Sequence, residues 1–329
     1  MVLVINNTCN RDCPFCFEGD FRHGPAQMMS VDDVDVLCGY FRIAQSSPDD
    51  RVTLLGGEPT LHPQLLEIVD LIRDHCPNKQ VLLLTNLACE RELLAELLMR
   101  RVNVLVNIVP PELNTPEQQA AIDANIDMLS EAPGCIYAAA VTIASLDQDF
   151  GFFYDVLRRD RHHQIFNVRV GLSAPGYEFG NEFVADQRPE WGEKYLEVVR
   201  QMHRINPMIS VGNECAVNLC MMRPETYAEL APHVGYLSAV CTQPNLDILP
   251  DFSTHWCFGS RHLPGMRIEN IFDYPDEQAL IRELNQRRVD LMREMGMQCD
   301  HAECDTLRCH GPCLALNYYL AQERQHPGA

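Results

Sequence analysis

The feature that most constrains this chain is a regular alternation of short β-branched apolar runs with amphipathic helical patterns. It repeats from Val2 to about residue 212. The apolar runs are Val2–Ile5, Val52–Leu55, Val81–Leu84, Val102–Ile108, Ile136–Ile143 and Phe166–Leu172, with a last short one at Met208–Val211. Between them, apolar residues recur at helical spacing, as in Leu65, Ile68, Val69 and Ile72, or Leu93, Leu94, Leu97 and Leu98. Ser30 with Asp32 and Asp33 marks one helix start. Thr115-Pro116-Glu117-Gln118 marks another, as an N-cap, a proline at the first position and a capping-box glutamine. Strands that read as continuous apolar runs are buried on both faces, which implies a parallel α/β fold. Six such units in about 210 residues suit an incomplete, TIM-like (βα)6 barrel. An open doubly wound sheet is the alternative, and periodicity does not separate the two.

Beyond residue 212 the alternation fails, and glycine, proline and cysteine increase. One clear helix remains, carrying Leu280, Ile281, Leu284, Leu291, Met292 and Met295. The chain has 329 residues, which at about 150 per domain suggests two. We therefore expect an α/β domain over 1–212 and a cysteine-rich domain over 213–329. The net charge of −20 opposes binding to nucleic acid and to anionic membranes. No apolar run nears the ~20 residues of a membrane span, and no export signal is evident at the start. A cytoplasmic protein is expected.

The 15 cysteines are an odd number and cannot all be paired. Without an export signal, clusters of them read as metal or redox sites. Cys9-Asn-Arg-Asp-Cys13-Pro-Phe-Cys16 follows directly on the first strand. Three thiolates there can hold three corners of a four-iron cube and leave one iron open. A zinc completed by a distant ligand such as His23 is an alternative, as are three unrelated thiols. Gly56-Gly57-Glu58-Pro59 follows on the second strand. Two glycines at a strand end allow a ligand close to the backbone, and a carboxylate can accept from an ammonium group.

These two motifs together resemble the radical S-adenosylmethionine (SAM) superfamily: its CxxxCxxC loop, with Phe15 before the last cysteine, and its GGEP motif. The resemblance runs in element order over residues 1–212. It implies that Cys9, Cys13 and Cys16 bind a [4Fe-4S] cluster and that SAM chelates the open iron. Phe15 would lie near the adenine, and Gly56, Gly57 and Glu58 near the methionine amino group. One-electron reduction would cleave SAM to a 5′-deoxyadenosyl radical that abstracts a hydrogen atom from substrate. An electron donor such as flavodoxin or ferredoxin is implied. Thr85 and Asn86 on the third strand, Asn107 on the fourth, and Arg169 and Ser173 on the sixth are further SAM candidates by their strand-end placement, where ordinary strand-end hydrogen bonding is the competing reading.

The stretch from Cys241 to Cys313 resembles the SPASM/twitch extension of many radical SAM enzymes, which carries one or two auxiliary [4Fe-4S] clusters. Cys241, Cys257, Cys299, Cys304, Cys309 and Cys313 are the candidate ligands. The spacing departs from the usual pattern, since the first two gaps in the final group are both four residues and no cysteine follows Cys313. A structural zinc ribbon is the alternative. The resemblance implies maturation of a ribosomally made peptide by crosslinking, thioether formation or epimerisation. A small-molecule substrate such as a sugar, nucleoside or amino acid is the alternative, and a non-catalytic iron–sulfur or zinc scaffold a third. Cys215, Cys220, Glu214 and Tyr177 are candidates for directing a substrate radical, each equally readable as a packing or surface residue.

Overall fold

In the computed structural model the described residues are 1–19, 25–43, 51–132, 137–186, 188–215, 221–236, 246–295 and 313–325. Six strand–helix units run in order: β1 (Val2–Asn6) and α1 (Val31–Ile43), β2 (Arg51–Gly56) and α2 (Leu65–His75), β3 (Gln80–Thr85) and α3 (Arg91–Met99), β4 (Asn103–Asn107) and α4 (Pro116–Glu131), β5 (Tyr137–Ile143) and α5 (Gly151–Arg159), β6 (Ile165–Leu172) and α6 (Glu190–Ile205). They are followed by β7 (Ser210–Asn213), α7 (Pro224–Leu230) and β8 (Val234–Tyr236). The two helix starts read from sequence are formed. Ser30 and Asp33 cap α1 reciprocally. Thr115 Oγ1 accepts from the Gln118 N–H while Gln118 Oε1 accepts from the Thr115 N–H.

Strands β1 to β8 lie side by side in sequence order, each parallel to the next. A doubly wound sheet needs a point where strand order reverses, and none exists between β1 and β8. The burial pattern agrees. Leu3 and Ile5 of β1, Val52 and Leu54 of β2, Val81 and Leu83 of β3, Val104 and Val106 of β4 and Val168 and Val170 of β6 all join the two large cores that also take in the helices. The alternate residues Leu82, Leu105 and Ala140 form a separate small cluster on the opposite face. Helices thus cover one face, and the polar residues Asn6 and Asn107 at strand ends and Arg169 within β6 share the other.

The chain after β8 does not stand apart from this sheet. Strand β9 (Asp247–Ile248) adds parallel to β1, and β10 (Thr254–His255) and β11 (Arg267–Ile268) continue it antiparallel. Helix α8 (Glu277–Glu294) and α9 (Leu314–Gln325) complete the extension. Ile248, Trp256, Ile268, Leu280 and Leu284 pack in the same core as Leu3, Ile5 and Val52. The fold is α/β with a parallel sheet and an antiparallel C-terminal extension on the β1 edge. The antiparallel pair, α7, β8 and α9 all lie beyond the point where the sequence alternation ends. No described helix is long and apolar enough to cross a membrane.

Trp256 is 1% exposed and is shared between the extension and β1, so Trp256→Ala should cost roughly 3–5 kcal/mol. The whole chain, followed by far-UV circular dichroism in denaturant, should still unfold in one transition, at a lower midpoint. Two separated transitions would show that the extension keeps its own core.

Candidate functional site

The cysteine loop leaves β1 at the C-terminal end of the sheet and is held from both sides. On one side stand the ends of β3 and β4. Asn10 Nδ2 donates to the Ala88 carbonyl (3.0 Å), and Asn86 Nδ2 donates to Asn10 Oδ1 (2.8 Å). Arg11 Nη2 donates to the Asn86 carbonyl (3.1 Å). Gln118, the capping-box residue of α4, donates from Nε2 to the Asn10 carbonyl (2.5 Å). One glutamine therefore both starts a helix and anchors the loop.

On the other side is the segment after β6. The Glu182 N–H donates to the Pro14 carbonyl (2.7 Å), the Tyr177 N–H to the Phe17 carbonyl (2.8 Å) and Asn181 Nδ2 to the Phe15 carbonyl (3.3 Å). Within the loop, the Cys16 N–H donates to the Cys13 carbonyl (3.1 Å) and the Gly19 N–H to the Cys16 carbonyl (3.1 Å), two successive turns. Cys9, Cys13 and Cys16 are each partly exposed. Among the described residues no three His, Cys, Asp or Glu side chains are grouped so as to hold a single metal ion. His23 lies outside the described residues.

The Gly56-Gly57 pair has a packing reason independent of any ligand. A Cβ on Gly57 would come within 2.3 Å of the Thr8 carbonyl oxygen, and one on Gly56 within 2.0 Å of Asn6 Oδ1. The glycines let β2 run against the start of the cysteine loop, where the Gly57 N–H donates to the Asn6 carbonyl and the Glu58 N–H to that of Thr8. Glu58 is 1% exposed. Its Oε1 accepts from the Thr60 N–H (3.1 Å), Thr60 Oγ1 (2.7 Å) and Thr85 Oγ1 (2.7 Å), and its Oε2 from the Asn86 N–H (2.8 Å). Both oxygens are thus committed to bracing β2 against β3.

The remaining candidates divide in the same way. Asn86 spends its side chain on Asn10 and on the Ala88 N–H. Ser173 donates its hydroxyl to the Glu182 carbonyl, and its N–H to that of Ile143. Asn107 stands half-buried at the end of β4, whereas Arg169, expected at a strand end, lies half-buried within β6, both on the face away from the helices. Glu214, just past β7, occupies the space left by Gly171, where a Cβ would sit 2.9 Å from its Oε2. Desolvation raises its carboxyl above the ordinary range, opposed by Arg169. Asn10, Arg11, Gln118 and Asn181 were missed in the sequence. The capping box was the one signal that could have pointed to Gln118.

Below the loop, Glu18 at 5% exposure reaches the extension. Asp247 and His255 pair across β9 and β10, with His255 Nε2 3.8 Å from Asp247 Oδ2. Burial pushes Asp247 up to about 7, helped by Glu18 and opposed by the chain's amino terminus. Burial, then Arg261 and Arg267, push His255 down to about 3. In the extension, Cys257 precedes the turn Phe258–Ser260 and Cys313 precedes α9. These two elements touch, since a Cβ on Gly259 would lie 3.1 Å from that of Ala315. Cys241, Cys299, Cys304, Cys309 and Cys220 lie outside the described residues.

Residues 3–133 match the family model described as the radical SAM superfamily. The match covers less than half of the chain, the part that holds both motifs. A GTP 3′,8-cyclase from Edwardsiella ictaluri is 29% identical over 87 residues, 26% of this chain and 26% of that protein. The chain thus matches about a quarter of that curated relative's length. Streptococcus suis SuiB bound to S-adenosylmethionine superposes with a TM-score of 0.64 at 13% identity, over 96% of this chain and 70% of SuiB. SuiB bound to precursor peptide SuiA gives the same TM-score at 11% identity, over 96% and 69%. At these identities the likeness is one of fold. It spans the extension as well as the α/β sheet.

The radical SAM family implies a [4Fe-4S] cluster with SAM. The residues present fit that pair: three soft thiols on one pinned loop, with a glycine pair at the neighbouring strand end.

Two expectations follow. Gly57→Ala places a methyl against backbone and should cost about 1–3 kcal/mol in denaturant titrations. Asp247 binds its proton more tightly folded than unfolded, because its folded value of about 7 lies above the ordinary 3.8. Its contribution is therefore lost as pH rises from about 4 through about 7. Asp247→Asn should gain stability over the parent across that window and hold a constant lead above it. A lead independent of pH would mean that Asp247 is not buried as the neutral acid.

Proposed function

We propose that the chain is a radical SAM enzyme whose incomplete (βα)6 barrel cleaves SAM reductively and removes a hydrogen atom from a peptide. The observation that carries this is the double anchoring of the Cys9–Cys16 loop beside Gly56-Gly57, at the C-terminal end of the sheet where such folds do their chemistry. When bound, the cluster and SAM supply a one-electron route to breaking an unreactive C–H bond.

The chain's own residues do the rest. Cys9, Cys13 and Cys16 would hold the cluster through three thiolates. Gly56 and Gly57, with no side chains, would leave the backbone open to the SAM amino group. Phe15 would pack by the adenine, and Asn107 and Arg169 would bind the ribose and carboxylate. Glu58, Asn86 and Ser173 act through the framework, because their polar atoms already bond the strand ends and loops. Glu214, near Arg169, would orient the substrate. The reducing electron comes from a flavodoxin or ferredoxin.

Cys257 and Cys313 head two touching elements, and we assign them as ligands of an auxiliary [4Fe-4S] cluster in a SPASM/twitch-like extension over 213–329. Cys241, Cys299, Cys304 and Cys309 complete that donor set for one or two clusters. The peptide reading is supported by the superposition on SuiB, which covers 96% of this chain and so includes the extension. A small-molecule reading is favoured by a different observation, since the curated relative over 87 residues is a GTP cyclase.

Anaerobic reconstitution tests the proposal. Cys13→Ala should keep the parent's circular dichroism while losing one cluster's iron and sulfide and, at least tenfold, 5′-deoxyadenosine release. Persistent release would sink the ligand assignment. Iron and sulfide beyond one cluster per chain, retained in Cys13→Ala, would mark the auxiliary site. Mass spectrometry with deuterium-labelled SAM separates the peptide from the small molecule.

A further inference from the structure

The segment that holds the cysteine loop from the β6 side stands in a conformation that its own residues disfavour. Glu178 and Phe179 have φ of 50° and 57°, in the left-handed region, where Cβ crowds the following carbonyl oxygen. Such residues persist only where the surroundings over-determine them. The loop side shows what the bend accomplishes. A Cβ on Gly176 would lie 2.5 Å from the Phe17 carbonyl oxygen, and one on Gly19 3.2 Å from that of Tyr177, so the two backbones touch. Tyr177 precedes the left-handed pair and Glu182 follows it. The bend brings their N–H groups to the Phe17 and Pro14 carbonyls.

The group that fixes the pair comes from the extension. The Glu178 N–H donates to His262 Nδ1 (3.1 Å). The His262 ring meets Phe179 edge-on, with centroids 4.6 Å apart, and Tyr177 edge-on at 5.9 Å. One imidazole thus meets three successive residues of the bend. An Nδ1 that accepts an N–H carries no proton, so the ring is neutral with its proton on Nε2. Burial, opposed by Glu178, holds His262 below its ordinary value and keeps that acceptor available. The Glu178 side chain is exposed, so it is the backbone that His262 holds. We propose that His262 is a positioning residue for the cysteine loop: by accepting from the Glu178 backbone it keeps the bend whose N–H groups grip Phe17 and Pro14, and so sets how the three thiols are presented. As a role in SAM cleavage this rests on the proposed function. His262 acts through Tyr177 and Glu182 and is not itself a catalytic residue.

Two variants separate the acceptor from the ring. His262→Phe keeps an aromatic edge and loses Nδ1, whereas His262→Asn loses the ring but carries an amide oxygen where Nδ1 stood. Hydrogen–deuterium exchange of the full chain, without cluster, reads the loop directly. In His262→Phe the amides of Tyr177, Glu182, Cys16 and Gly19 should exchange about tenfold faster, while those of α2 keep the parent's rate. His262→Asn should stay near the parent. Glu178→Gly, which holds a φ of 50° without a clamp, should restore slow exchange when added to His262→Phe. Unchanged exchange in His262→Phe, a rise shared by α2, or equal rises in both variants overturns the proposal. In the anaerobically reconstituted chain, His262→Phe should release 5′-deoxyadenosine about tenfold more slowly than the parent, and His262→Asn at close to the parent's rate. Unchanged release beside faster loop exchange overturns the role in the reaction. A parent chain that takes up no cluster overturns the proposed function, while the exchange result still decides whether His262 holds the loop.

Discussion

A single buried carboxylate organises the mouth of the sheet. Glu58 closes β2, and its two oxygens take four donors from the following turn and from the end of β3. A hydrogen bond to a carboxylate is about twice as strong as one between neutral groups. Asn86, whose N–H is one of those donors, then grips Asn10 with its side chain and Arg11 with its carbonyl. The position of the cysteine loop is thus inherited from a strand–strand brace. The glycines before Glu58 make this possible by letting β2 approach Thr8.

The loop also needs its second flank. The segment after β6 carries two successive residues in the left-handed region, Glu178 and Phe179, a conformation that costs non-glycine residues about 1–3 kcal/mol each. That strain turns the segment so that Tyr177 and Glu182 meet the loop backbone. Phe179 in turn packs with His262 and Tyr319 of the extension. The extension therefore bears on the loop through this segment, and on β1 through β9. A module that reads in sequence as an appendage is structurally part of the site's support.

Much of the architecture was legible residue by residue. Val52–Leu55 and Val81–Leu84 lie inside strands, and the capping residues at Ser30 and Thr115 sit where their chemistry places them. These are local signals, set by backbone geometry within a few residues. The two motifs were also local, because the family's ligand loop and glycine pair each fit within eight residues. What failed was long-range. The roles of Glu58 and Ser173 depend on partners 27 and 9 residues away, and Asn10 and Arg11 on partners 75 to 108 residues away. No periodicity encodes such pairs.

By itself, then, the amino-acid sequence determined the alternation of strand and helix, the cysteine spacing that suits an incompletely liganded cluster, and the glycines at the second strand. All of these follow from short-range sterics and ligand chemistry. Only the tertiary structure decided the strand order, the joining of the extension to β1 in one core, and the hydrogen bonds by which Glu58 and Asn86 brace the strand ends and the loop. The physical reason is that a polar side chain's function is set by which donors and acceptors burial brings within about 3 Å, and that is a property of the folded chain.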